Sequence, residues 1–161
     1  MTTAVGSGEM NRILVVDDEP SNIQILAGIL QEQYVVNAAT SGAKALELAA
    51  SQQPDLILLD MVMPEMDGLE VCKALKADAS TAEIPVIFVT GMTDPENEER
   101  GLAAGAVDYI FKPVSPPVVR ARAKIHIQNY LTVKFLQGLL DSRDMSMEEA
   151  KTQAESLLVF V

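Results

Sequence analysis

The sequence predicts an α/β chain whose helices cover both faces of a parallel sheet. Three observations carry this expectation. Short apolar runs recur at near-even spacing along the chain. Three of them are continuous rather than alternating, as strands buried on both faces are. Segments with helical spacing separate the runs, and that alternation of element types is the pattern of a doubly wound α/β sheet.

The elements follow in order. Ile13-Leu14-Val15-Val16 is the first strand, and Ile23, Leu26, Ile29 and Leu30 give the first helix its apolar face. Val35-Val36 marks the second strand, and Ala45, Leu46, Leu48 and Ala49 the second helix. Leu56-Ile57-Leu58-Leu59 is the third strand and Val86-Ile87-Phe88-Val89 the fourth. Pro54 and Pro85 stand just before them, where a missing N–H costs little. Leu69, Cys72 and Leu75 share one helical face between these two strands. Asp94-Pro95 is an N-cap followed by Pro at the first helical position, and Gly105 closes that helix. The fifth strand is Val107 to Phe111, and Ser115-Pro116 opens the last long helix.

Residues 11–128 therefore read as one compact domain, and residues 1–10 as a disordered N-terminus. Residues 129–161 read as a helical linker or dimerisation segment, with Gly138 and Asp141-Ser142-Arg143-Asp144 as weak points. Ser146-Met147-Glu148-Glu149 has the form of a capping box, at which a fresh helix would start. Met147, Ala150, Ala154, Leu157 and Val161 follow the spacing of a short coiled-coil seam. The plainer alternative is an amphipathic helix packed on its own domain. The apolar end Leu157-Leu158-Val159-Phe160-Val161 suggests a longer natural chain.

Composition narrows the function. The 161 residues carry 12 Lys+Arg against 23 Asp+Glu, a net charge of -11. A nucleic-acid surface needs a basic stripe, which this balance argues against. A hydrophobic fraction of 48% supports a real core. One Cys excludes an internal disulfide and a Cys-based metal site. No apolar run reaches membrane-spanning length, and the first ten residues lack the features of a secretory signal. A cytoplasmic location with no membrane partner is expected. Aromatic residues make up only 4% of the chain, with no Trp, which disfavours base-stacking platforms.

The strand ends carry the chemistry, because ligands of such sheets bind beyond the carboxyl ends of the strands. Asp17 and Asp18 follow the first strand, Asp60 the third and Lys112 the fifth, while Thr90 ends the fourth. Three carboxylates gather in a small site only if a cation neutralises them. All-oxygen ligation favours a hard ion, here Mg²⁺. Asp60 is the candidate nucleophile toward a phosphoryl group. Lys112 and the Thr90 hydroxyl would donate to the phosphoryl oxygens, and Gly91 leaves room beside them.

Four segments give this reading a family. They are Ile13-Leu14-Val15-Val16-Asp17-Asp18-Glu19-Pro20, Leu58-Leu59-Asp60-Met61-Val62-Met63-Pro64-Glu65-Met66-Asp67-Gly68, Val89-Thr90-Gly91 and Asp108-Tyr109-Ile110-Phe111-Lys112-Pro113. Together they resemble the receiver domain of two-component response regulators over residues 11–128. The resemblance implies a flavodoxin-like fold with five parallel strands in the order 2-1-3-4-5. It implies that Asp60 takes a phosphoryl group from a histidine kinase or phosphotransfer protein. It implies a Mg²⁺ site made by Asp18 directly, Asp17 often through water, Asp60, and the backbone carbonyl of Val62. Thr90 and Tyr109 would form the switch, Tyr109 turning inward as Thr90 engages phosphate. The Lys112-Pro113 bond would be cis. The positions two beyond Asp60 and two beyond Thr90 tune dephosphorylation in the family. They hold Val62 and Met92, which cannot orient a water, so slow self-dephosphorylation is expected.

Residues 114–122 look like the last receiver helix of regulators that control second-messenger enzymes. Residues 149–158 resemble the coupling helix that precedes class III nucleotide cyclase domains and works as a parallel homodimer. An adenylate or guanylate cyclase is therefore the expected output. A cyclic-di-GMP synthase or phosphodiesterase is the alternative. A Mg²⁺-dependent Asp-nucleophile phosphatase would use the same carboxylates, but Val62 stands where its second Asp belongs. An FMN carrier lacks its phosphate loop, because Asp17-Asp18-Glu19 would repel the phosphate. Intact Asp60, Thr90 and Lys112 argue against a scaffold with an inactive site. Cys72 is expected to be a buried thiol, and His126 a lone, partly exposed helix residue. The methionines are expected to fill core gaps, except Met61, Met63 and Met66, which surround the site loop. Glu96, Glu98 and Glu99 read as a solvated first turn favoured by the helix dipole.

Overall fold

The computed structural model describes residues 10–142 and 147–158. Among these residues, five strands alternate with helices up to a fifth helix, which a sixth follows directly. They are β1 (Arg12–Val16), α1 (Pro20–Leu30), β2 (Val35–Ala39), α2 (Gly42–Gln52), β3 (Leu56–Leu59) and α3 (Gly68–Ala77). β4 (Val86–Thr90), α4 (Pro95–Ala103), β5 (Asp108–Phe111), α5 (Pro116–Ser142) and α6 (Met147–Leu158) follow. All neighbouring strands are parallel, in the order β2-β1-β3-β4-β5. This is the flavodoxin-like sheet that the sequence predicts. β2 runs further than Val35-Val36, because Asn37, Ala38 and Ala39 pair with Leu14, Val15 and Val16. An edge strand is held from one side only, so its apolar signal is weak.

The continuous apolar runs have a direct cause. Leu14, Val16, Ile57, Leu59, Val86 and Phe88 face one core, under Ala45 and Ala49 of α2 and Val71, Cys72 and Leu75 of α3. Ile13, Val15, Leu56, Leu58, Ile87, Val89 and Ile110 face the other, under Leu26 and Leu30 of α1 and Val119, Ala123 and Ile127 of α5. Alternate residues thus go to opposite cores, and neither face leaves room for a polar residue. Met61 and Met63 belong to the first core, and Met66 packs against it. The expectation that these three only surround the loop is corrected: the loop after β3 folds back onto the sheet, so its methionines fill core space.

Local chemistry starts the helices where the site needs them. The Asp67 carboxylate accepts from Glu70 N–H at 2.9 Å, and Glu70 accepts from Asp67 N–H at 3.2 Å. This reciprocal capping box satisfies two donors at the start of α3. Asp94 caps α4 through Asn97 N–H at 2.9 Å, and Gly105 supplies a φ of 110° after that helix. Cys72 is fully buried, as expected.

α5 runs 27 residues, through Gly138 to Ser142. α6 then packs against α5, and Ala154 is buried there. The expectations for residues 1–9, for the capping Ser146 and for Val161 of the seam lie outside the described residues. Among the described residues, no helix is long and apolar enough to cross a membrane.

Gly68 fixes how closely the loop after β3 returns. A Cβ there would lie 2.2 Å from the Asp60 carbonyl oxygen and 2.7 Å from the Met61 Cα. Both obstacles are backbone, so neither can swing aside. Gly68→Ala is expected to lower stability by about 2–3 kcal/mol, read as a lower urea midpoint at unchanged slope.

Candidate functional site

Five strand-end residues meet at the carboxyl edge of the sheet. The parallel topology brings them together, since every strand points its C-terminus the same way. Asp17 and Asp60 are buried, at 2% and 8% exposure, and Asp18 is half-buried. One carboxylate oxygen from each of Asp17, Asp18 and Asp60 lies within 4.8 Å of the others. The Lys112 ammonium donates to Asp17 Oδ2 at 2.7 Å and to Asp60 Oδ2 at 3.4 Å. The Lys112-Pro113 peptide is cis.

One ammonium cannot neutralise three carboxylates. Burial is the main influence on Asp60 and pushes its carboxyl above the usual range. The nearby Asp17 charge adds to this, while Lys112, the Val62 N–H and the Thr90 hydroxyl pull the other way. Burial alone would lower the Lys112 ammonium, but Asp17 and Asp60 hold it above its ordinary value. The site thus keeps a charged cation donor beside an under-compensated carboxylate cluster. All three acidic donors are hard oxygens with excess negative charge, a donor set that fits a hard divalent ion such as Mg²⁺.

The loops around the carboxylates are pinned by backbone donors. Asp17 Oδ1 accepts from Glu19 N–H at 2.9 Å. Asp60 Oδ1 accepts from Val62 N–H at 3.4 Å, which leaves the Val62 side chain exposed. Thr90 is buried, and its Oγ1 accepts from Met92 N–H at 3.3 Å. Tyr109 lies inward. Its hydroxyl donates to the Met92 carbonyl at 3.2 Å, and its ring packs between Phe88 and Phe111, with centroids 6.0 and 5.1 Å away. Thr90 and Tyr109 therefore hold the same short loop, one by its N–H and the other by its C=O.

The structure adds a cluster that the sequence reading missed. Asp108 opens β5, and its carboxylate accepts from Arg122 at 2.8 Å and from His126 Nε2 at 2.9 Å. His126 is a partly exposed helix residue, as expected, but it is not alone: Asp108 partners it. The available signal was the four-residue spacing of Arg122 and His126, which puts both on one helical face.

The family model of the response regulator receiver domain matches residues 13–124. A probable cyclic di-GMP phosphodiesterase of Vibrio cholerae is 50% identical over 117 residues, covering 73% of this chain and 26% of that protein. The response regulator PleD of Caulobacter vibrioides is 43% identical over 114 residues, 70% of this chain and 25% of that one. The chain thus spans about a quarter of the length of these curated relatives. Among solved structures, a CheY-like receiver domain protein of Methanospirillum hungatei superposes with a TM-score of 0.71 at 30% identity. That match covers 76% of this chain and 97% of the other.

The raised Asp60 carboxyl has a thermodynamic consequence. Folding favours its neutral form, so the associated stability is present at low pH and is lost as pH rises through the raised folded value. Asp60→Asn removes the ionised form. At pH 7.5, in buffer free of divalent ions, the variant is expected to melt above the parent. The gap should close toward pH 4. Thermal unfolding followed by circular dichroism at both pH values checks this, and an equal gap at both would refute it.

Proposed function

Because this chain belongs to the response regulator receiver domain family, a class of signalling modules, we propose that Asp60 is its phosphorylation site. The donor is a phosphohistidine of a histidine kinase or phosphotransfer protein. The observation that carries the proposal is the cluster of Asp17, Asp18 and Asp60, two of them buried, with Lys112 bonded to both buried members. An Asp60 carboxylate oxygen attacks phosphorus, and the bond from phosphorus to the donor imidazole breaks. Lys112 and the Thr90 hydroxyl donate to the phosphoryl oxygens and offset their charge. Asp17, Asp18, Asp60 and the Val62 carbonyl hold Mg²⁺, which supplies further charge neutralisation to the transferring group.

The modification adds about -1.5 to -2 charge beside Thr90. Thr90 turns toward it, and Tyr109 keeps the space beneath the Met92 loop filled. The changed face is that of α4, β5 and α5. Neither Val62 nor Met92 offers a polar group to orient water, so the aspartyl phosphate is long-lived.

The segment beyond residue 128 serves as a dimerising transmitter to an output enzyme in the cytoplasm. Its exposed Val133, Phe135, Leu140 and Leu157 support an interface with a second copy. The likeness of residues 149–158 to a cyclase coupling helix supports a nucleotide cyclase as output. A second reading, a cyclic-di-GMP enzyme, is favoured by the 50% identity to a probable phosphodiesterase of that class.

Incubation with acetyl phosphate and Mg²⁺ should add one phosphoryl group by intact mass, and Asp60→Ala should abolish the gain. The phosphoryl group should persist for minutes or longer after the donor is removed. Decay within seconds refutes the role given to Val62 and Met92. Light scattering should report a dimer for the full chain and a monomer for a chain ending at Gln128. Equal monomeric masses would remove the dimerising role.

A further inference from the structure

β5 is an edge strand, paired only with β4. Edge backbone groups that no strand satisfies need other partners. At Tyr109 both groups find them outside the sheet. Its N–H donates to Asp108 Oδ1 at 2.8 Å, and its C=O accepts from the Arg122 guanidinium at 3.0 Å. The same Arg122 nitrogen donates to Asp108 Oδ1 at 2.8 Å, and His126 Nε2 lies 2.9 Å from Asp108 Oδ2. Arg122 and His126 stand one turn apart on α5. The backbone of Tyr109 is therefore fastened to α5 at its donor and at its acceptor, with Asp108 as the shared acceptor.

We infer that Arg122 and His126 are positioning residues that couple the Tyr109 backbone to α5 through Asp108. The inference rests on the reading of Tyr109 as the switch residue. The guanidinium bonds both Asp108 and the Tyr109 carbonyl, and the His126 Nε2 holds the second carboxylate oxygen of Asp108. Burial alone would raise Asp108, but hydrogen bonds from His126 and the Tyr109 N–H and the charge of Arg122 outweigh it and hold the carboxyl low. Asp108 thus stays ionised and accepts from both side chains.

Other charged or titratable groups share the groove beside His126. They are Lys76 of α3, Glu83 before β4 and Tyr130 of α5. The Lys76 ammonium is already bound to the carbonyls of Ala82 and Ile84, at 2.9 and 2.6 Å. Asp108 is the carboxylate in hydrogen-bond contact with His126.

In the full chain, hydrogen exchange of the Tyr109 amide should quicken at least threefold in His126→Ala, which loses the donor to Asp108. His126→Gln keeps a donor, so exchange should return toward the parent rate. A Tyr109 amide that exchanges at the parent rate in His126→Ala, or equally fast in both variants, overturns the inference. A second arm adds acetyl phosphate and Mg²⁺ and follows hydrogen exchange of α5. Arg122→Ala, or Arg122→Lys if the first variant folds poorly, should at least halve the change in exchange at unchanged phosphoryl uptake by mass. An undiminished change at full uptake overturns the coupling and leaves the Asp60 reading intact. The first arm needs no phosphoryl group, so it decides the coupling whatever the mass assay says of Asp60.

Discussion

The Lys112 ammonium joins residues that follow the first, third and fifth strands, 2.7 Å from Asp17 and 3.4 Å from Asp60. That reach is possible only because all five strands run parallel in the order β2-β1-β3-β4-β5. Burying carboxylates in an apolar sheet costs several kcal/mol per ion unless they are paired and hydrogen-bonded. The fold meets this cost in part. Lys112 and backbone N–H groups from Glu19 and Val62 serve Asp17 and Asp60, and the rest of the negative charge stays uncompensated. The site is thereby poised for added positive charge, which suits its hard oxygen donors to a divalent ion.

The constraint spreads outward through close backbone packing. Asp60 stays aligned because the loop behind it is pressed against α3, with no space at Gly68 for even one methyl group. Met61 from the same loop contacts the Tyr109 hydroxyl through its sulfur at 3.7 Å. A Cβ on Gly101 of α4 would meet the Phe88 ring at 2.9 Å and the Met61 methyl at 3.3 Å. Asp60, the loop, Tyr109 and α4 thus form one contiguous packed unit. A tightly packed core responds to a local push by repacking between discrete arrangements rather than by yielding gradually. Asp60 and the face of α4, β5 and α5 are thus linked by continuous packing without direct contact.

Much of this was legible in the sequence, for identifiable reasons. A strand buried on both faces writes a continuous apolar run, and parallel strands place their functional residues just beyond those runs. Asp17, Asp18, Asp60, Thr90 and Lys112 could therefore be assigned to one edge before any coordinates, and they are found there. The edge strand β2 was cut short because one-sided pairing leaves Asn37 and Ala38 without an apolar signature. Met61 and Met63 were placed only around the loop because nothing local says that a loop folds back on its own core. The pairing of His126 is not legible in the sequence because its partner, Asp108, lies in a different kind of element. Polar pairing across elements has no period, and only the three-dimensional register of α5 on β5 creates it.

That register gives α5 its place in the molecule. Val119, Ala123 and Ile127 bury one side of it under the sheet. Val118, Ile125, Val133 and Leu140 stand exposed, spaced by seven, eight and seven residues. Such spacing keeps them on one stripe along the helix. The helix continues unbroken for 27 residues, roughly 40 Å at 1.5 Å per residue. Leu140 stands on the same exposed stripe as Val118 and Ile125, which flank Arg122, and one continuous helix joins them. The features that anchor α5 to the sheet and those that leave its far end apolar and exposed therefore belong to one helix. This is the physical condition for carrying a small change at a buried carboxylate to a distant partner.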